Sequence, residues 1–382
     1  MSRKSFYDFI ILDKDEYLLD VYKAGSVISY ISMLMNIVVF GFMFRKSLLS
    51  PATILIQGLA TADFLTAFST YGFEPLFQTQ YHCRKIMVPM CSLPYPYCSL
   101  SHHLSILSFT FHNVSYLITT CLGIQKVIAI LFPIWTKFQL TNKKSVICCT
   151  VCFLLSITIS IPRHFSYKLE KSNNVRNPHV CYGSIKSKGL LEYSSLYYLI
   201  IQTVLMTCCC LVMLMSAVFI SYKLVTNKFR GRMTEQRRQE RRSVIMVIII
   251  LVVFLITEVP KVILTLWWCY NFIACNFYNC GESLNLWLVR RYEGMMPWLL
   301  VVYTDLVSGD EGYRLDVAVF IMEGIKLFTI VGCISNFIIY IVMSTKMRNE
   351  IILLFRKCLT AVHMHKKGVN QIDRAGNNRT QN

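Results

Sequence analysis

Two acidic residues interrupt long apolar runs of this sequence. Asp63 lies in GLATADFL and Glu258 lies in FLITEVPK. A carboxylate in the hydrocarbon part of a bilayer costs at least a few kcal/mol, so each must face a partner, an ion or water. The sequence contains no HExxH motif, no glycine-rich phosphate loop and no Ser/His/Asp set suited to nucleophilic catalysis. We therefore predict that the chain is not an enzyme.

The surroundings of Asp63 are neutral and polar. Asn36, Ser115 and Asn336 each lie near the middle of another apolar run, so they can meet Asp63 in one aqueous pocket. The alternative is a protonated Asp63 that is hydrogen-bonded inside a helix bundle. The residues alone leave both interpretations open.

Glu258 has a cation nearby on the same run. Lys261 follows it by three residues, a spacing that places both side chains on one face of a helix. Pro260 removes a backbone hydrogen bond there, and we predict that it breaks the helix. The two charges can neutralise each other, or Glu258 can receive a cationic group of a ligand. Both hypotheses stay open.

Histidines and cysteines are the residues that could hold a metal ion. His102, His103 and His112 share one apolar run, where a histidine more often bonds a neighbouring helix than a metal. Many of the 16 cysteines also lie in apolar runs and act there as small apolar residues. No CxxC pair with metal spacing occurs in a loop. We predict no metal site. The cysteines inside the runs include Cys148, Cys149, Cys152, Cys208, Cys209 and Cys210.

The composition is that of an integral membrane protein. Of the 382 residues, 54% are hydrophobic and 16% are charged, whereas a soluble domain has about 25% charged residues. The mean hydropathy is +0.47. The net charge of +18 comes from Lys and Arg that lie between the apolar runs rather than on one face. That distribution is typical of loops beside membrane spans and argues against a nucleic-acid partner.

Seven apolar runs are long enough to cross a bilayer as helices. They lie at about 25–44, 53–77, 102–133, 146–162, 196–224, 244–268 and 316–343. We predict an all-α fold, a bundle of seven transmembrane helices with a short amphipathic helix after the last. The third run carries a polar residue about once per turn, which favours a position inside the bundle. Residues 136–145 are predicted to be a polar loop, and residues 223–242 to include a basic helical extension.

The loop charges predict the orientation. Residues 45–51, 136–145, 223–242 and the tail after 344 hold more Lys and Arg than acid, so we place them in the cytoplasm. We predict three regions: an extracellular N-terminus (1–24), the transmembrane domain (25–343), and a cytoplasmic amphipathic helix and tail (344–382). Cys358, in that last segment, is either palmitoylated or a plain thiol. The cysteines of the connecting loops then lie on the oxidising side, with several pairings open.

A channel or carrier is the competing class of membrane protein. It predicts charged residues in several spans along one path, and often duplicated halves. Few charged residues lie within the spans and the halves do not repeat. A receptor is therefore the preferred interpretation.

Four motifs occur in order along these spans: LATAD at 59–63, KVIAILFP at 126–133, FLITEVP at 254–260 and NFIIY at 336–340. This set resembles the rhodopsin-like (class A) G-protein-coupled receptors across nearly all of the bundle. The glutamate form of the third motif and NF in the fourth resemble invertebrate and nematode myosuppressin, FMRFamide and sex-peptide receptor groups. The resemblance implies a plasma-membrane receptor for an extracellular ligand, most often a short amidated neuropeptide. Its other partners would be a heterotrimeric G protein and membrane lipid.

The resemblance also implies roles for particular residues. We predict a ligand-binding set, a pocket for a sodium ion or water, a G-protein-coupling set and one disulfide. The ligand set is Glu258, Lys261, Glu74, Tyr71, His112 and Trp267. The sodium set is Asp63, Ser115, Asn336 and Asn36. The coupling set is Lys126, Pro133, Tyr340, Arg241 and Arg242. The disulfide joins Cys98 to Cys181.

The chain departs from the family pattern in places that matter for signalling. Gln125-Lys126-Val127 stands where the family has Asp-Arg-Tyr, and lysine does not replace the planar fork of arginine. The fifth span has no proline and the fourth has no tryptophan. A chemosensory receptor, or a decoy receptor with weak coupling, is therefore the alternative function.

Overall fold

A computed structural model of the chain describes residues 13–15, 18–43, 50–84, 90–171, 181–226, 235–277 and 311–343. Most of these residues are helical. The helices are α1 (Leu18–Met43), α2 (Pro51–Tyr71), α3 (Glu74–Gln78), α4 (Tyr97–Leu131), α5 (Pro133–Gln139), α6 (Asn142–His164), α7 (Lys188–Glu192), α8 (Tyr198–Thr226), α9 (Glu235–Phe277) and α10 (Glu311–Met343). A π-helical turn, Tyr193–Tyr197, joins α7 to α8.

Within the described ranges, six stretches are long and apolar enough to cross a membrane. They are Leu19–Gly41, Pro51–Gln78, Tyr97–Leu131, Asn142–His164, Tyr198–Thr226 and Val244–Ile263. Helix α10 has 33 residues, which also exceeds the length of about 20 that a crossing needs. These helices correspond to the seven predicted spans.

Helix α4 lies at the centre of the bundle. It packs against α2, α6, α8 and α9, while α2 also contacts α1 and α10. Its buried side chains include Tyr116, Ile118 and Leu122, which join a core shared by most of the long helices. Large apolar side chains on the outer faces of α6 and α8, such as Leu154 and Met215, are exposed. An apolar outer face suits contact with lipid.

Local sequence signals explain where several helices begin. Ser50 caps α2 by accepting a hydrogen bond from the Thr53 N–H at 3.2 Å, and Pro51 occupies the first turn. Thr141 caps α6 in the same way, through the Lys144 N–H at 3.4 Å. Pro133 opens the short helix α5.

The predicted boundaries are wrong in several places. Residues 53–77 form two helices, because α2 ends at Tyr71 and α3 begins at Glu74, followed by Pro75. Proline lacks the N–H that a continuous helix needs, but its fixed φ suits a first turn. Helix α1 begins before the predicted residue 25, and the predicted loop at 136–145 contains most of α5 and the first turn of α6.

The predicted break at Pro260 is also absent: α9 runs through it from Glu235 to Phe277. A proline removes one backbone bond and leaves the bonds of the flanking turns. Helix α9 also extends beyond the predicted end at residue 268. The predicted amphipathic helix and Cys358 lie outside the described residues.

Short strands lie at one end of the bundle. Strands β1 (Asp13–Asp15), β2 (His82–Arg84) and β3 (Met90–Ser92) form an antiparallel sheet in the order β1-β3-β2, and β4 (Tyr167–Lys171) pairs with β5 (Cys181–Ile185). A disulfide joins Cys181 of β5 to Cys98 in the first turn of α4. We call this end the disulfide end, and the opposite end, where α4 carries Lys126, the Lys126 end.

Candidate functional site

A cavity of about 90 Å³ lies in the disulfide half of the bundle. Residues from α1, α2, α3, α4, α8, α9 and α10 line it, so it touches most of the long helices. Its charged lining residues are Glu74, Lys261 and Lys326. Aromatic and hydroxyl side chains make up much of the rest. A pocket with mainly apolar walls and a few charged groups is the usual form of a ligand site.

A network of four side chains joins α4 to α9 at one wall of this cavity. Lys261 Nζ lies 2.9 Å from Glu258 Oε1, and His112 Nε2 lies 3.1 Å from the same oxygen. The Tyr116 hydroxyl donates to the other carboxylate oxygen, Oε2. Lys261, His112 and Tyr116 line the cavity, whereas Glu258 is not among its lining residues and is 1% exposed. Of the two hypotheses for Glu258, this geometry matches neutralisation by Lys261.

The protonation of His112 determines part of this network. Its Nε2 atom also lies 3.0 Å from Lys261 Nζ. A neutral ring with the proton on Nε2 donates to Glu258, and the other tautomer accepts from Lys261. Because both contacts use one nitrogen, a change at Lys261 also changes the hydrogen bonding of His112.

A second polar contact joins α4 to α8. The Asn113 amide donates to Gln202 Oε1 at 2.8 Å, and the Gln202 amide donates to Asn113 Oδ1 at 2.5 Å. Gln202 also lines the cavity. The predicted ligand set did not include either residue. An amide inside each of two apolar spans is the sequence signal that could have suggested this pair.

Another group of polar residues lies on the α2 and α10 side of the cavity. The Tyr71 hydroxyl donates to Glu323 Oε2 at 2.6 Å, and Lys326 Nζ donates to Glu323 Oε1 at 2.5 Å. Glu323 is buried. The ammonium of Lys326 and the hydroxyl of Tyr71 offset the charge of its carboxylate. Glu323 and Lys326 are absent from the predicted ligand set, although their i, i+3 spacing is the same as that of Glu258 and Lys261.

Glu74 lies on the cavity wall at the start of α3. It is 3% exposed, and the Tyr81 hydroxyl donates to its Oε1 at 3.0 Å. Burial, together with the nearby Glu74 carboxylate, raises the pKa of Tyr81 well above its usual value. Tyr81 therefore stays protonated and remains a hydrogen-bond donor to Glu74.

Asp63 is the centre of a separate polar site. Ser115 Oγ donates to Asp63 Oδ1 at 2.8 Å, and Asn336 Nδ2 donates to Oδ2 at 2.8 Å. These contacts join α2, α4 and α10, and all three residues are buried. Asn36 bonds elsewhere, since its Nδ2 donates to the Ser32 carbonyl on α1 at 2.9 Å. Hydrogen bonds therefore join three of the four residues predicted for the sodium pocket.

The residues predicted for G-protein coupling are described only in part. Lys126 is half-buried on α4, Pro133 begins α5, and Arg241 and Arg242 are exposed on α9. The side chain of Tyr340 lies outside the described part of the structure. The same holds for Trp267 of the predicted ligand set, although both backbones are helical.

A comparison with protein-family models gives one match. The model for the 7 transmembrane receptor (rhodopsin family) matches residues 36–290, about two thirds of the chain. The chain belongs to the rhodopsin family of seven-transmembrane receptors. The predicted all-α bundle of seven helices is therefore confirmed, as is the prediction that the chain is a receptor and not an enzyme. No curated protein sequence matches the chain.

Membership of the family also confirms a multi-pass protein of the plasma membrane. The Cys98–Cys181 bridge is the pair that the resemblance implies, and its Cα atoms are 6.4 Å apart. The bridge places strand β5 over the beginning of α4. The peptide-receptor subgroups named above receive no support from the comparison.

Proposed function

We propose that this rhodopsin-family receptor binds an extracellular ligand in the cavity at the disulfide end and signals to a heterotrimeric G protein at the Lys126 end. The N-terminus is then extracellular. Two features support this orientation. The disulfide belongs on the oxidising side of the membrane, and the exposed cations Lys143, Lys144, Arg241 and Arg242 lie towards the other end.

The observation that carries the proposal is the contact between α4 and α9 beside the cavity. Lys261 lines the cavity and is paired with Glu258, which receives a hydrogen bond from Tyr116 of α4. A ligand group that contacts Lys261 competes with that pairing. Ligand binding can therefore change the attachment of α9 to α4, provided that the ligand has different affinities for the two arrangements.

The ligand that we propose is a short amidated neuropeptide. The cavity offers an acid, Glu74, and two lysines, Lys261 and Lys326, so it can receive a ligand with both donor and acceptor groups. Because Glu74 lines the cavity and Glu258 does not, we assign a cationic side chain of the ligand to Glu74. The peptide carbonyls would accept hydrogen bonds from the lysines.

A screen of amidated peptides on cells that express the receptor and a G protein tests this function. We expect some amidated peptides to increase GTP loading, and their free-acid forms to be weaker because a terminal carboxylate lacks the N–H donors of the amide. Glu74→Gln should reduce the potency of an arginine-containing peptide more than that of its alanine analogue. Glu170→Gln is the matched control, because Glu170 is an exposed acid that pairs with Lys168 on the β4–β5 hairpin.

Three results would contradict the proposal. Equal losses for both peptides with Glu74→Gln would remove the assigned contact. Activation by small non-peptide compounds alone would favour the chemosensory alternative. Ionic current or solute uptake without any GTP loading would favour a channel or carrier instead.

A weakly coupling decoy receptor is the second candidate, and the residues at the Lys126 end favour it. Lys126 stands where the family has an arginine, and a lysine does not reproduce the planar fork of that side chain. If weak coupling follows from Lys126, Lys126→Arg should increase ligand-dependent GTP loading. An unchanged response would show that Lys126 does not limit coupling, and strong ligand-dependent GTP loading by the wild type would argue against the decoy function.

We also propose that Asp63, Ser115 and Asn336 bind a sodium ion in the resting receptor. Asp63 Oδ1 accepts a hydrogen bond from Ser115 and Oδ2 accepts one from Asn336. An ionised carboxylate has about four lone-pair sites, so these two bonds do not use all of them. Oxygen atoms of carboxylate, hydroxyl and amide groups are suitable ligands for a hard cation. Bound sodium would also offset the charge of a buried carboxylate.

A further inference from the structure

Three cysteine thiols meet between α4 and α6 in the Lys126 half of the bundle. The Sγ atoms of Cys121, Cys148 and Cys152 all lie within 4.8 Å of one another. Cys148 and Cys152 are four residues apart on α6, so both project from one face towards Cys121 on α4. Cys152 is buried, and the other two are half-buried. Neither the ligand cavity nor the Asp63 site includes any of them.

We propose that Cys121, Cys148 and Cys152 form a binding site for a monovalent soft metal ion, copper(I), that links α4 to α6. The sequence suggested only that Cys148 and Cys152 are small apolar residues inside a span. The meeting of these two with a third thiol from another helix depends on the packing of α4 against α6.

The spacing of the three sulfur atoms fits one bound ion. A metal–sulfur bond of about 2.3 Å places three sulfurs in a trigonal arrangement about 4 Å apart. The separations of up to 4.8 Å approach this value.

The chemistry of the ligands selects the class of metal. This cluster consists of thiols alone, with no histidine or carboxylate among its members. Soft sulfur ligands favour copper(I), whereas magnesium and calcium require oxygen ligands. Structural zinc takes four protein ligands, and zinc sites with three protein ligands add a bound water. Three thiols between two helices in the membrane are better matched to copper(I), which soft sulfur ligands favour.

Binding of the ion changes the charge of the cluster. Each thiol that binds the ion loses its proton to solvent, so the occupied site is anionic. The nearest lysine along α6 is Lys144, one turn before Cys148, and its Nζ donates to Gln139 Oε1 at 2.7 Å rather than to the cluster. Metal binding should therefore be stronger at higher pH, where thiols lose their protons more easily.

Metal titration of the full-length, reduced receptor in lipid nanodiscs tests the site. Copper(I) is supplied under reducing conditions with a competing chelator, and bound copper is counted. Because other cysteines can also bind copper, the measured quantity is the difference between variants. We expect Cys121→Ser, Cys148→Ser and Cys152→Ser each to lose one tightly bound ion per receptor.

Cys149→Ser is the matched control. Cys149 is adjacent to Cys148 in the sequence, but its Sγ lies 3.8 Å from the Ile54 carbonyl oxygen on α2. This variant should keep the ion, and X-ray absorption of the wild type should show about three sulfur neighbours, the number that the cluster supplies. The proposal is overturned if Cys149→Ser loses the ion like the cluster variants, or if the cluster variants bind as much copper as the wild type.

Protection from alkylation provides a test that needs no variant to fold. Silver(I) is used as a redox-stable analogue of copper(I), and a membrane-permeant maleimide labels the wild-type receptor before mass spectrometry. Silver should slow labelling of Cys121 and Cys148 relative to Cys208, an exposed cysteine on α8. Equal slowing of Cys208, or no protection of the cluster, would contradict the site.

Discussion

Tyr116 of α4 donates a hydrogen bond to the Glu258 carboxylate of α9, and so joins two helices at positions 142 residues apart in the chain. Both side chains are almost completely buried, at 1% exposure each. Lys261, which shares the same carboxylate, lines the cavity. A movement of α9 relative to α4 must therefore break or rearrange a contact that a ligand can reach through Lys261.

Removing the Tyr116 hydroxyl should loosen the resting receptor. A hydrogen bond to a charged group contributes about 1.5–3 kcal/mol, and the Tyr116→Phe variant leaves Glu258 with fewer donors. We expect a lower thermal-unfolding temperature and a higher basal GTP loading, because the α4–α9 contact then opposes activation less. Both quantities can be measured on the same purified receptor.

Tyr198→Phe is the control for this variant. Tyr198 is also buried, but its hydroxyl makes no hydrogen bond to any residue that the structure describes. It should change stability and basal activity little. If Tyr116→Phe and Tyr198→Phe behave alike, the bond to Glu258 does not restrain α9.

The Glu258–Lys261 pair should show strong coupling in a double-mutant cycle. Breaking a buried ion pair by removing one partner costs about 3–5 kcal/mol, because the other charge remains buried. Lys261→Met should therefore lower the unfolding temperature strongly, and adding Glu258→Gln should recover part of the loss.

The Glu323–Lys326 pair provides the comparison for this cycle. It has the same i, i+3 spacing, but the Lys326 side chain is 27% exposed against 7% for Lys261. Solvent should reduce the loss for Lys326→Met below that for Lys261→Met. Additive effects of Lys261→Met and Glu258→Gln would show that the two charges do not depend on each other.

The sequence predicts local features of this receptor well. Apolar runs longer than a bilayer crossing predict the long helices, and a three-residue spacing predicts the contact between Glu258 and Lys261. The predicted helix ends are less accurate. Pro75 lies in the first turn of a separate helix, α3, within the span predicted at 53–77, and α9 continues through Pro260, where a break was predicted. The same proline chemistry has opposite results because one proline lies at a helix start and the other within a helix.

Contacts between helices could be predicted only where polar residues lie at a similar depth in their spans or where the family resemblance supplied them. Both arguments group Asp63, Ser115 and Asn336, and these residues do meet. Asn113 and Gln202 were not grouped, because hydropathy does not reveal which faces of two helices, 89 residues apart, pack together. The contact of Cys121 with the α6 cysteines could not be predicted for the same reason. Both contacts depend on which helices are neighbours and on how each helix is rotated about its axis, and hydropathy determines neither.

Replacement of Asp63 should remove a sodium effect on ligand binding. A sodium ion that binds the resting arrangement lowers agonist affinity, and Asp63→Asn removes the charge that holds it. We expect agonist affinity to fall as sodium chloride replaces choline chloride in the wild type, and to be unchanged in Asp63→Asn. Asn36→Ala should retain the effect, because Asn36 bonds to Ser32 and not to Asp63. Loss of sodium sensitivity in Asn36→Ala alone would exclude the proposed ligand set.

The close packing of α2 on α6 can be tested at a single glycine. A Cβ atom added to Gly58 would lie 2.7 Å from Cys149 Sγ and 3.2 Å from Ile118 Cδ1, whereas one added to Gly41 of α1 meets no atom within 4 Å. Overpacking of this kind costs about 1–3 kcal/mol. We therefore expect Gly58→Ala to lower the thermal-unfolding temperature and Gly41→Ala to leave it unchanged or slightly raised, since alanine favours the helix. If the Gly58→Ala receptor is as stable as Gly41→Ala, α2 and α6 are not in close contact at Gly58. Because Cys149 is adjacent to Cys148 on α6, that result would also weaken the evidence for the position of Cys148 in the proposed copper site.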